Sequence, residues 1–534
     1  MIPKEKFIIF KSPKFDDEFS NRIADNYRCK FASKSANRKL VNDILIHNGC
    51  SNTVSDDFVL FWGTSYDVDS LSRKSRLQVV NHFPNSKHLL GNKAELAKII
   101  QLHPLYNRVE QFLPKTYVLP NDHAELFHRM KMKMASSFIS KPPMGSCGCG
   151  IKIVSFKDFY SIPQGSVVSD YIAKPLLIDG FKFDMRIYVL VTSFCPMRAF
   201  IYKEGLARFA TESYSRSSTN AFSTLTNATL NKKHSKWCSE FKWKLSELLS
   251  ELEKRWKKTS SELMNNIIDV VAKALVFIQP SMSKNDCYGL PNSSFELYGF
   301  DILIDQDFKM WLLEINTMPS LGTDEDTDFD VKAPLIAQAL SIVGIPSMDL
   351  AELRTIETAP YGKEIMMERH IIDEDERNVL SGGGFIRIFP SQITNEYQKY
   401  LIVPCKTSNV NIERIIDDPT QYGKYLTQSQ GYVVLIHILS KIDISLNKNI
   451  DPRVISRLLC FLSAQGYHVN TSNVRSYIKH YIVRLNKWIT ESKEQYIIES
   501  EKRNKIMSSD GDYIRKLLES CNMAKVKSVS LLFP

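Results

Sequence analysis

Short apolar runs separated by polar turns fill the middle of the chain, from residue 136 to residue 344. Within these runs, side chains either alternate between apolar and polar or are nearly all apolar, and both patterns predict β-strands. The runs read SSFISKPP, GSVVSDYI, KFDMRIYVLVTS and MRAFIYKEGLARFA. One long helical stretch from Trp243 to Ile278 interrupts them. The pattern therefore predicts a strand-rich core.

The two flanks of this core have different patterns. Residues 1–135 combine short strands such as DDFVLFWG with amphipathic helices such as NKAELAKIIQLH, which predicts a small α/β lobe. Residues 345–534 begin mixed, pass through a glycine run at Gly382 and become helical. There, apolar residues from Tyr477 to Ile489 recur at three- and four-residue steps, which indicates a helix face for core packing or for partner binding. We expect three parts, 1–135, 136–344 and 345–534.

Composition narrows the class of protein. The chain has 534 residues, 43% of them hydrophobic, and a net charge of +10, which favours an acidic partner such as nucleic acid, an anionic membrane or an acidic protein tail. Its ten cysteines show no repeated metal-binding spacing, and the N-terminus has no secretory signal pattern. No apolar run approaches the roughly 20 residues of a membrane helix. We expect a reduced, intracellular chain.

Three polar residues stand in an otherwise apolar hairpin, FELYGFDILIDQDFKMWLLEIN. A turn near Asp305 would join strands 297–304 and 310–315 and bring Asp301 almost opposite Glu314. Glu314 and Asn316 share one face of their strand because side chains alternate. Oxygen donors without His or Cys suit Mg²⁺. The alternative is a hairpin whose acids are simply solvated.

A lysine followed by glycines occurs in FISKPPMGSCGCGIKIV. Lys141 ends an apolar strand, and Gly145, Gly148 and Gly150 make a flexible loop before the next strand. Glycines permit close backbone approach to a phosphate, and the lysine supplies charge. The spacing differs from a P-loop. A plain turn explains the loop equally well.

Charged residues alternate along the strand FKFDMRIYVLVTS. Lys182, Asp184 and Arg186 share one face, where burial is costly unless they contact a ligand or one another. A mutual salt-bridge ladder is the structural alternative. Arg208, in the next strand, has a guanidinium group suited to a carboxylate or phosphate.

Together with the motifs above, two weaker ones are compatible with a nucleotide site held between two sheets. The strand that ends at Tyr171 and Ile172 could offer backbone groups to an adenine ring. Thr226 and Asn227 lie on a polar loop of the kind that is usually only a loop. No Ser-His-Asp, Cys-His or HExxH pattern is present, which argues against hydrolase and zinc chemistry.

In order and spacing, these motifs resemble the tubulin tyrosine ligase-like family of ATP-grasp ligases, and most closely its glutamylase branch. The resemblance begins at VNHFPNSKHLLGNKAEL, continues through KPLLIDGFKFDMRIYVLVTS and KEGLARFAT, and ends with ELYGFDILID and WLLEINTMPSL. It covers about half of the chain. It implies an α/β (α+β) fold: an ATP-grasp core, an N-terminal α/β lobe and a mostly helical C-terminal region.

The resemblance also implies a role for each site residue. The implied ATP-binding residues are Lys141, Cys147, Gly148, Ser169, Asp170, Tyr171, Ile172, Lys182, Phe183, Asp184, Thr226 and Asn227. The implied ligands of the incoming amino acid are Arg208, Ala228, Thr229, Lys242, Asn316 and Lys332, and those of Mg²⁺ are Asp301, Glu314 and Asn316. Lys141, Lys182, Arg208 and Glu314 are implied to be catalytic. Ala228 and Thr229 stand where the family usually has tyrosine and serine, which bears on the amino acid added.

The implied reaction joins free L-glutamate to a glutamate side chain of an acidic protein tail. A substrate γ-carboxylate attacks the ATP γ-phosphate, and the amine of the incoming amino acid then attacks the acylphosphate. The implied acceptor is tubulin at cytoskeletal microtubules, including those of cilia or flagella. We expect a monomer that binds neither nucleic acid nor membrane. Two alternatives remain open: a glycine ligase, and an inactive microtubule-binding protein that has kept the fold.

Overall fold

The computed structural model describes residues 7–401 except for 14–26, 35–38, 65–66, 68–77, 104, 136, 146–147, 217, 219, 236, 287–293, 358–365 and 399. The strands are β1 (Lys30–Ser33), β2 (Ser51–Asn52), β3 (Leu60–Trp62), β4 (Val79–Val80), β5 (Thr116–Val118), β6 (Phe138–Lys141), β7 (Lys152–Val154), β8 (Val167–Asp170), β9 (Leu177–Ile178), β10 (Phe181–Phe194), β11 (Met197–Phe209), β12 (Lys242–Lys244), β13 (Glu296–Ile304), β14 (Met310–Asn316) and β15 (Phe385–Phe389). The α-helices are α1 (Lys39–His47), α2 (Ser86–Leu89), α3 (Lys93–Gln101), α4 (His123–Lys131), α5 (Ala221–Thr224), α6 (Ala228–Asn231), α7 (Leu245–Trp256), α8 (Ser260–Asp286), α9 (Asp326–Val343), α10 (Leu350–Glu357), α11 (Met366–Leu380) and α12 (Asn395–Gln398).

A central antiparallel sheet carries the chemistry. Its strand order is β12-β11-β10-β13-β14, with β15 added beside β11 and β9 beside β10. Side chains alternate along β10, so Met185 and Ile187 enter a core with α7 and α8 on one face. Tyr188 and Leu190 enter a second core with α9 on the opposite face. The sheet is therefore covered on both faces, except where charged residues replace apolar ones.

Two smaller sheets precede it. The first is parallel, with order β2-β1-β3-β4, and forms the N-terminal α/β lobe that the pattern predicts. The second is antiparallel, with order β5-β8-β6-β7. Because β5 pairs with β8 across the expected boundary at residue 135, that boundary moves to a point before β5.

The long helix expected from Trp243 to Ile278 is two helices, α7 and α8. Lys257 follows α7 in the left-handed conformation, with φ 59°, and its N–H bonds to the carbonyl of Glu253. A residue in this conformation ends an α-helix. The apolar pattern alone missed this break because both helices turn an apolar face to the same core.

The expected boundary after residue 344 also moves. β15 pairs with β11 in the central sheet, and the described residues up to Leu401 belong to one compact unit. A buried carboxylate fastens α11 to this sheet, because Glu374 accepts hydrogen bonds from Thr192 Oγ1 at 2.7 Å and Arg387 Nη1 at 3.1 Å. The amphipathic stripe from Tyr477 to Ile489 lies outside the described residues.

Over the part of the chain that the structure covers, every helix is too short or too polar to cross a bilayer.

Candidate active site

A β-bulge in the β13–β14 hairpin sets the orientation of the site carboxylates. Asp301 pairs directly with Glu314, whereas the next pair is Ile302 with Leu312. The extra residue, Leu313, shifts the alternation of β14 by one. Leu312 therefore faces the apolar core, while Glu314 turns to the face that carries Asp301. The plain hairpin pattern predicts the neighbourhood of the two carboxylates, and the bulge makes them direct neighbours.

Charged residues line one face of the central sheet across five strands. Cross-strand pairing joins Lys242 to Arg208 and Arg208 to Asp184, and on the next rung joins Arg186 to Asp301 and Asp301 to Glu314. Directly paired residues on antiparallel strands point to the same face. We call these six residues the charged face: Lys242, Arg208, Asp184, Arg186, Asp301 and Glu314.

Arg208 stands at the centre of the charged face and bridges two carboxylates. Its Nε and Nη2 donate to Oδ1 and Oδ2 of Asp184, both at 2.7 Å, and Nη2 lies 2.8 Å from Asp301 Oδ2. Arg186 Nε donates to Asp301 Oδ1 at 2.5 Å. These ion pairs form a ladder across strands, not the mutual ladder of Lys182, Asp184 and Arg186 that the sequence left as an alternative. Arg208 is thus engaged with protein carboxylates in a position where a substrate carboxylate could replace one of them.

The ladder holds its two aspartates in different electrostatic environments. Burial raises the pKa of Asp184, although Arg208 and Thr226 Oγ1, at 2.6 Å, favour the ionised form. Burial acts in the same direction on Asp301, but Arg186 and Arg208 together hold the pKa of Asp301 well below its ordinary value. Asp301 therefore stays ionised, as an ion-binding carboxylate must.

Gly299 makes room for Arg186. A Cβ atom on Gly299 would lie 2.9 Å from Arg186 Cδ and 3.0 Å from Pro319 Cβ. Any side chain at this position would therefore push the guanidinium group away from Asp301.

A cavity of about 420 Å³ opens beside the charged face and brings together residues from two sheets and from helices α2 and α3. Lys141, Ser169, Glu314 and Asn316 all line it. Asn316 Nδ2 donates to Glu314 Oε1 at 3.2 Å, which fixes the two side chains together as predicted from their shared face. The volume is in the range of small-molecule sites in proteins.

Two lysines lie deep at this site. Burial lowers the pKa of Lys141, which Glu314 partly offsets. Burial lowers the pKa of Lys182 from 10.5 to about 7. Lys182 Nζ donates to the Thr224 carbonyl at 2.8 Å and to Tyr171 Oη at 3.0 Å, and both partners are neutral. Lys182 therefore has no charged hydrogen-bond partner among the described residues, and an anionic phosphate would provide one.

The glycine loop and the loop that ends in Asn227 come together. Gly148, with φ +75°, places its backbone beside Asn227, since an added Cβ would lie 3.8 Å from that side chain. Asn227 caps α6 by accepting a hydrogen bond from Leu230 N at 3.2 Å. Ala228 is half-buried and Thr229 exposed in the same short helix. Cys147, the other loop residue in the expected ATP set, lies outside the described residues.

Two of the expected nucleotide ligands, Phe183 and Asp170, have side chains engaged elsewhere. The Phe183 ring is fully buried in the core opposite the charged face, since it alternates with Lys182 and Asp184. Asp170 Oδ1 accepts a hydrogen bond from Arg129 Nε at 3.0 Å. Ile172 is half-buried at the end of β8. For Phe183 and Asp170 the side chain is thus unavailable, and only backbone groups remain for a nucleotide.

Lys242 and Lys332 share one carboxylate. Lys242 Nζ donates to Asp328 Oδ2 at 2.8 Å, and Lys332 Nζ lies 2.7 Å from Asp328 Oδ1. All three side chains are buried. Lys242 is next to Arg208 in register, as a joint binding role requires. The structure thus brings Lys242 and Lys332 together at one end of the charged face, beside Arg208.

The donor set at the hairpin fits Mg²⁺ in type. Asp301, Glu314 and Asn316 offer carboxylate and amide oxygens, which are the donors that Mg²⁺ prefers. Both oxygens of Asp301 accept from arginines, so a metal would replace an arginine contact. Among described residues, no group of three His, Cys, Asp or Glu side chains is arranged to hold a metal.

The motifs missed two residues that the structure places at the site. Lys93 Nζ lies 3.6 Å from Glu314 Oε2 and donates to the Gly145 carbonyl at 3.1 Å. The sequence did contain an indication of this role. A lysine in the first turn of a helix lies beside the positive end of the helix dipole, which is unfavourable unless an anion is nearby. Asp328, the shared partner of the two lysines, had no comparable signal.

Comparison with known proteins agrees with the family resemblance that the motifs show. The model of the tubulin-tyrosine ligase family matches residues 70–351, just over half of the chain. Tubulin polyglutamylase TTLL5 of Mus musculus is 33% identical over an alignment of 448 residues that covers 71% of this chain and 33% of that relative. Tubulin polyglutamylase TTLL6 of Homo sapiens is 34% identical over an alignment of 379 residues that covers 65% of this chain and 42% of that relative. The chain therefore spans a third to less than half of the length of these relatives.

The matched residues include the cavity, the hairpin and the whole charged face. The expected α/β fold with an ATP-grasp-like core is confirmed, as is the resemblance read from the motifs. The chain belongs to the tubulin-tyrosine ligase family.

Proposed function

We propose that this protein is an ATP- and Mg²⁺-dependent ligase that adds L-glutamate, through an isopeptide bond, to glutamate side chains of acidic protein tails. The observation that carries this proposal is the charged face, which joins a cavity lined by Lys141 and Glu314 to a cluster of cations around Arg208 and Lys242. A phosphate-binding end and a carboxylate-binding end on one sheet are what a carboxylate–amine ligase requires.

At the phosphate end, Lys141 and Lys182 would neutralise the triphosphate, and Gly148 would offer backbone close to it. Glu314, Asn316 and Asp301 would hold the metal. When bound, Mg²⁺-ATP supplies the phosphoryl group that activates a carboxylate. The residues themselves would act by position and charge.

At the amino-acid end, Arg208 and Lys242 would bind the carboxylates of free glutamate, with Lys332 as a third cation. Arg208 offers a planar fork that suits a carboxylate, whereas the lysines offer point charges. The two carboxylates of glutamate would match Arg208 and Lys242, and Lys332 would add further positive charge. The half-buried Ala228 and exposed Thr229 would lie toward this end, next to Asn227.

The acceptor we propose is the acidic C-terminal tail of tubulin, at cytoskeletal microtubules. Two relatives are named tubulin polyglutamylases. The net charge of +10 favours encounter with an acidic tail. The protein would act as a monomer, with no nucleic-acid or membrane partner.

Competition between two labelled amino acids tests this proposal. Purified protein, microtubules, ATP and Mg²⁺ are incubated with equimolar labelled glutamate and labelled glycine. We expect incorporation of glutamate that requires ATP and exceeds that of glycine, because the cation cluster offers more than one carboxylate site. Preferential incorporation of glycine would instead identify a glycine ligase, and microtubule binding without incorporation would identify a non-catalytic binding protein.

A further inference from the structure

Glu325 lies at the amino-acid end of the charged face and contacts two lysines. Its Oε2 is 2.9 Å from Lys242 Nζ, and its Oε1 is 3.4 Å from Lys232 Nζ. Glu325 immediately precedes α9, but its side chain accepts no hydrogen bond from the first turn of that helix. The Glu325 carboxylate therefore pairs with the lysines and does not cap the helix.

A second carboxylate holds Lys242 from the inside. Lys242 and Asp328 side chains are each 4% exposed, and the pair is 2.8 Å apart. Glu325 is 17% exposed and Lys232 is 33% exposed. A buried pair cannot separate without leaving an uncompensated charge, whereas a partly exposed carboxylate is replaced more readily by a solvated anion. Glu325, and not Asp328, is thus the replaceable partner of Lys242.

We propose that Glu325 is a specificity-determining residue that competes with the carboxylates of the incoming amino acid for Lys242 and Lys232. This inference rests on the proposed function, which places the amino acid at Lys242, and it adds Lys232, which the neighbouring Asp324 also contacts at 2.9 Å. An amino acid with one carboxylate replaces one anion by another and gains little. An amino acid with two carboxylates replaces one anion by two and satisfies both lysines. Glu325 thereby favours the binding of a dicarboxylic amino acid over that of a monocarboxylic one.

The matched pair of variants is Glu325→Gln and Asp330→Asn. Glu325→Gln keeps the shape of the side chain and removes its charge. Asp330 joins the same two elements, α9 and β12, through an exposed ion pair with Lys244 at 2.7 Å, outside the site. Both variants therefore remove one carboxylate from the same helix, but only one removes it from the amino-acid site.

Incorporation kinetics of the full chain test the proposal. For Glu325→Gln we expect a KM for glutamate about tenfold lower than that of the wild type, equivalent to one charged hydrogen bond released from competition. We also expect glycine incorporation well above the wild-type level. Asp330→Asn should match the wild type in both respects. A KM for glutamate that is unchanged or raised in Glu325→Gln overturns the proposal.

Thermal unfolding with two simple anions separates this inference from the proposed function. Glutarate carries two carboxylates without an amine, and butyrate carries one. We expect glutarate, but not butyrate, to raise the melting temperature of the wild type, and both to raise that of Glu325→Gln. If the wild type incorporates no amino acid, the proposed function fails while this comparison still decides the role of Glu325. Identical responses of the two proteins to both anions contradict that role.

Discussion

Replacing Asp301 by asparagine is expected to destabilise the protein strongly. Asp301 is buried and accepts hydrogen bonds from Arg186 at 2.5 Å and from Arg208 at 2.8 Å. Asp301→Asn therefore leaves two buried guanidinium groups short of negative charge. Removing one partner of a buried ion pair costs about 3–5 kcal/mol. The free energy of unfolding, measured by urea denaturation, should fall by about this amount.

The same substitution should abolish ligase activity, because asparagine supplies neither the charge for the metal nor the anchor for Arg208. Asp307→Asn is the matched control, since Asp307 is an exposed residue in the turn of the same hairpin. We expect it to change the free energy of unfolding by less than about 0.5 kcal/mol. Equal stability of the two variants would show that the Asp301 ion pairs contribute little.

Replacing Lys182 by methionine is expected to have opposite effects on stability and on activity. Lys182 is buried with neutral hydrogen-bond partners, and burial lowers its pKa to about 7. Methionine has a similar length and needs no counter-ion, so Lys182→Met should unfold at a higher urea concentration than the wild type at pH 7. Ligase activity should fall at least about a hundredfold, because a charge that stabilises the transferred phosphoryl group is lost.

The pH dependence of the free energy of unfolding tests the protonation state of Lys182 in the folded protein. Between pH 7 and pH 10.5 this lysine is neutral when folded and protonated when unfolded, so unfolding takes up a proton. Raising the pH therefore stabilises the folded wild type, by roughly 4 kcal/mol between pH 7 and pH 10 from this group. Lys182→Met should lack this increment.

An exposed lysine, Lys174, serves as the control for that measurement. Lys174→Met should keep the wild-type slope of the unfolding free energy against pH. Parallel slopes for the wild type and Lys182→Met would mean that Lys182 is charged in the folded protein at neutral pH.

The strands of the site could be predicted from sequence because alternation is a local property. The runs that contain Lys141, Lys182 and Arg208 fold as β6, β10 and β11, and the hairpin joins Asp301 to Glu314. Each of these depends on side-chain period and turn chemistry over a few residues. The pairing of Arg208 with Lys242 in register followed from no local pattern, since 33 residues with two short helices separate them.

What the sequence could not reveal depends on contacts between distant segments. The bulge at Leu313 forms because Leu312 and Ile315 both fit the same core. The bridge from Lys242 and Lys332 to Asp328 depends on how α9 packs across β12. The domain boundaries moved for the same reason, because β5 and β15 join sheets formed mainly by other parts of the chain.

In the proposed function, the charged face links a phosphate site to an amino-acid site in an active glutamate ligase. Mass spectrometry of tubulin C-terminal tails tests it most directly, after incubation with ATP, Mg²⁺, glutamate and either the wild type or Glu314→Gln. We expect tails extended by whole glutamyl residues with the wild type and unmodified tails with Glu314→Gln. Tails left unmodified by folded wild-type protein would contradict the claim, and equal extension by both proteins would remove Glu314 from the mechanism.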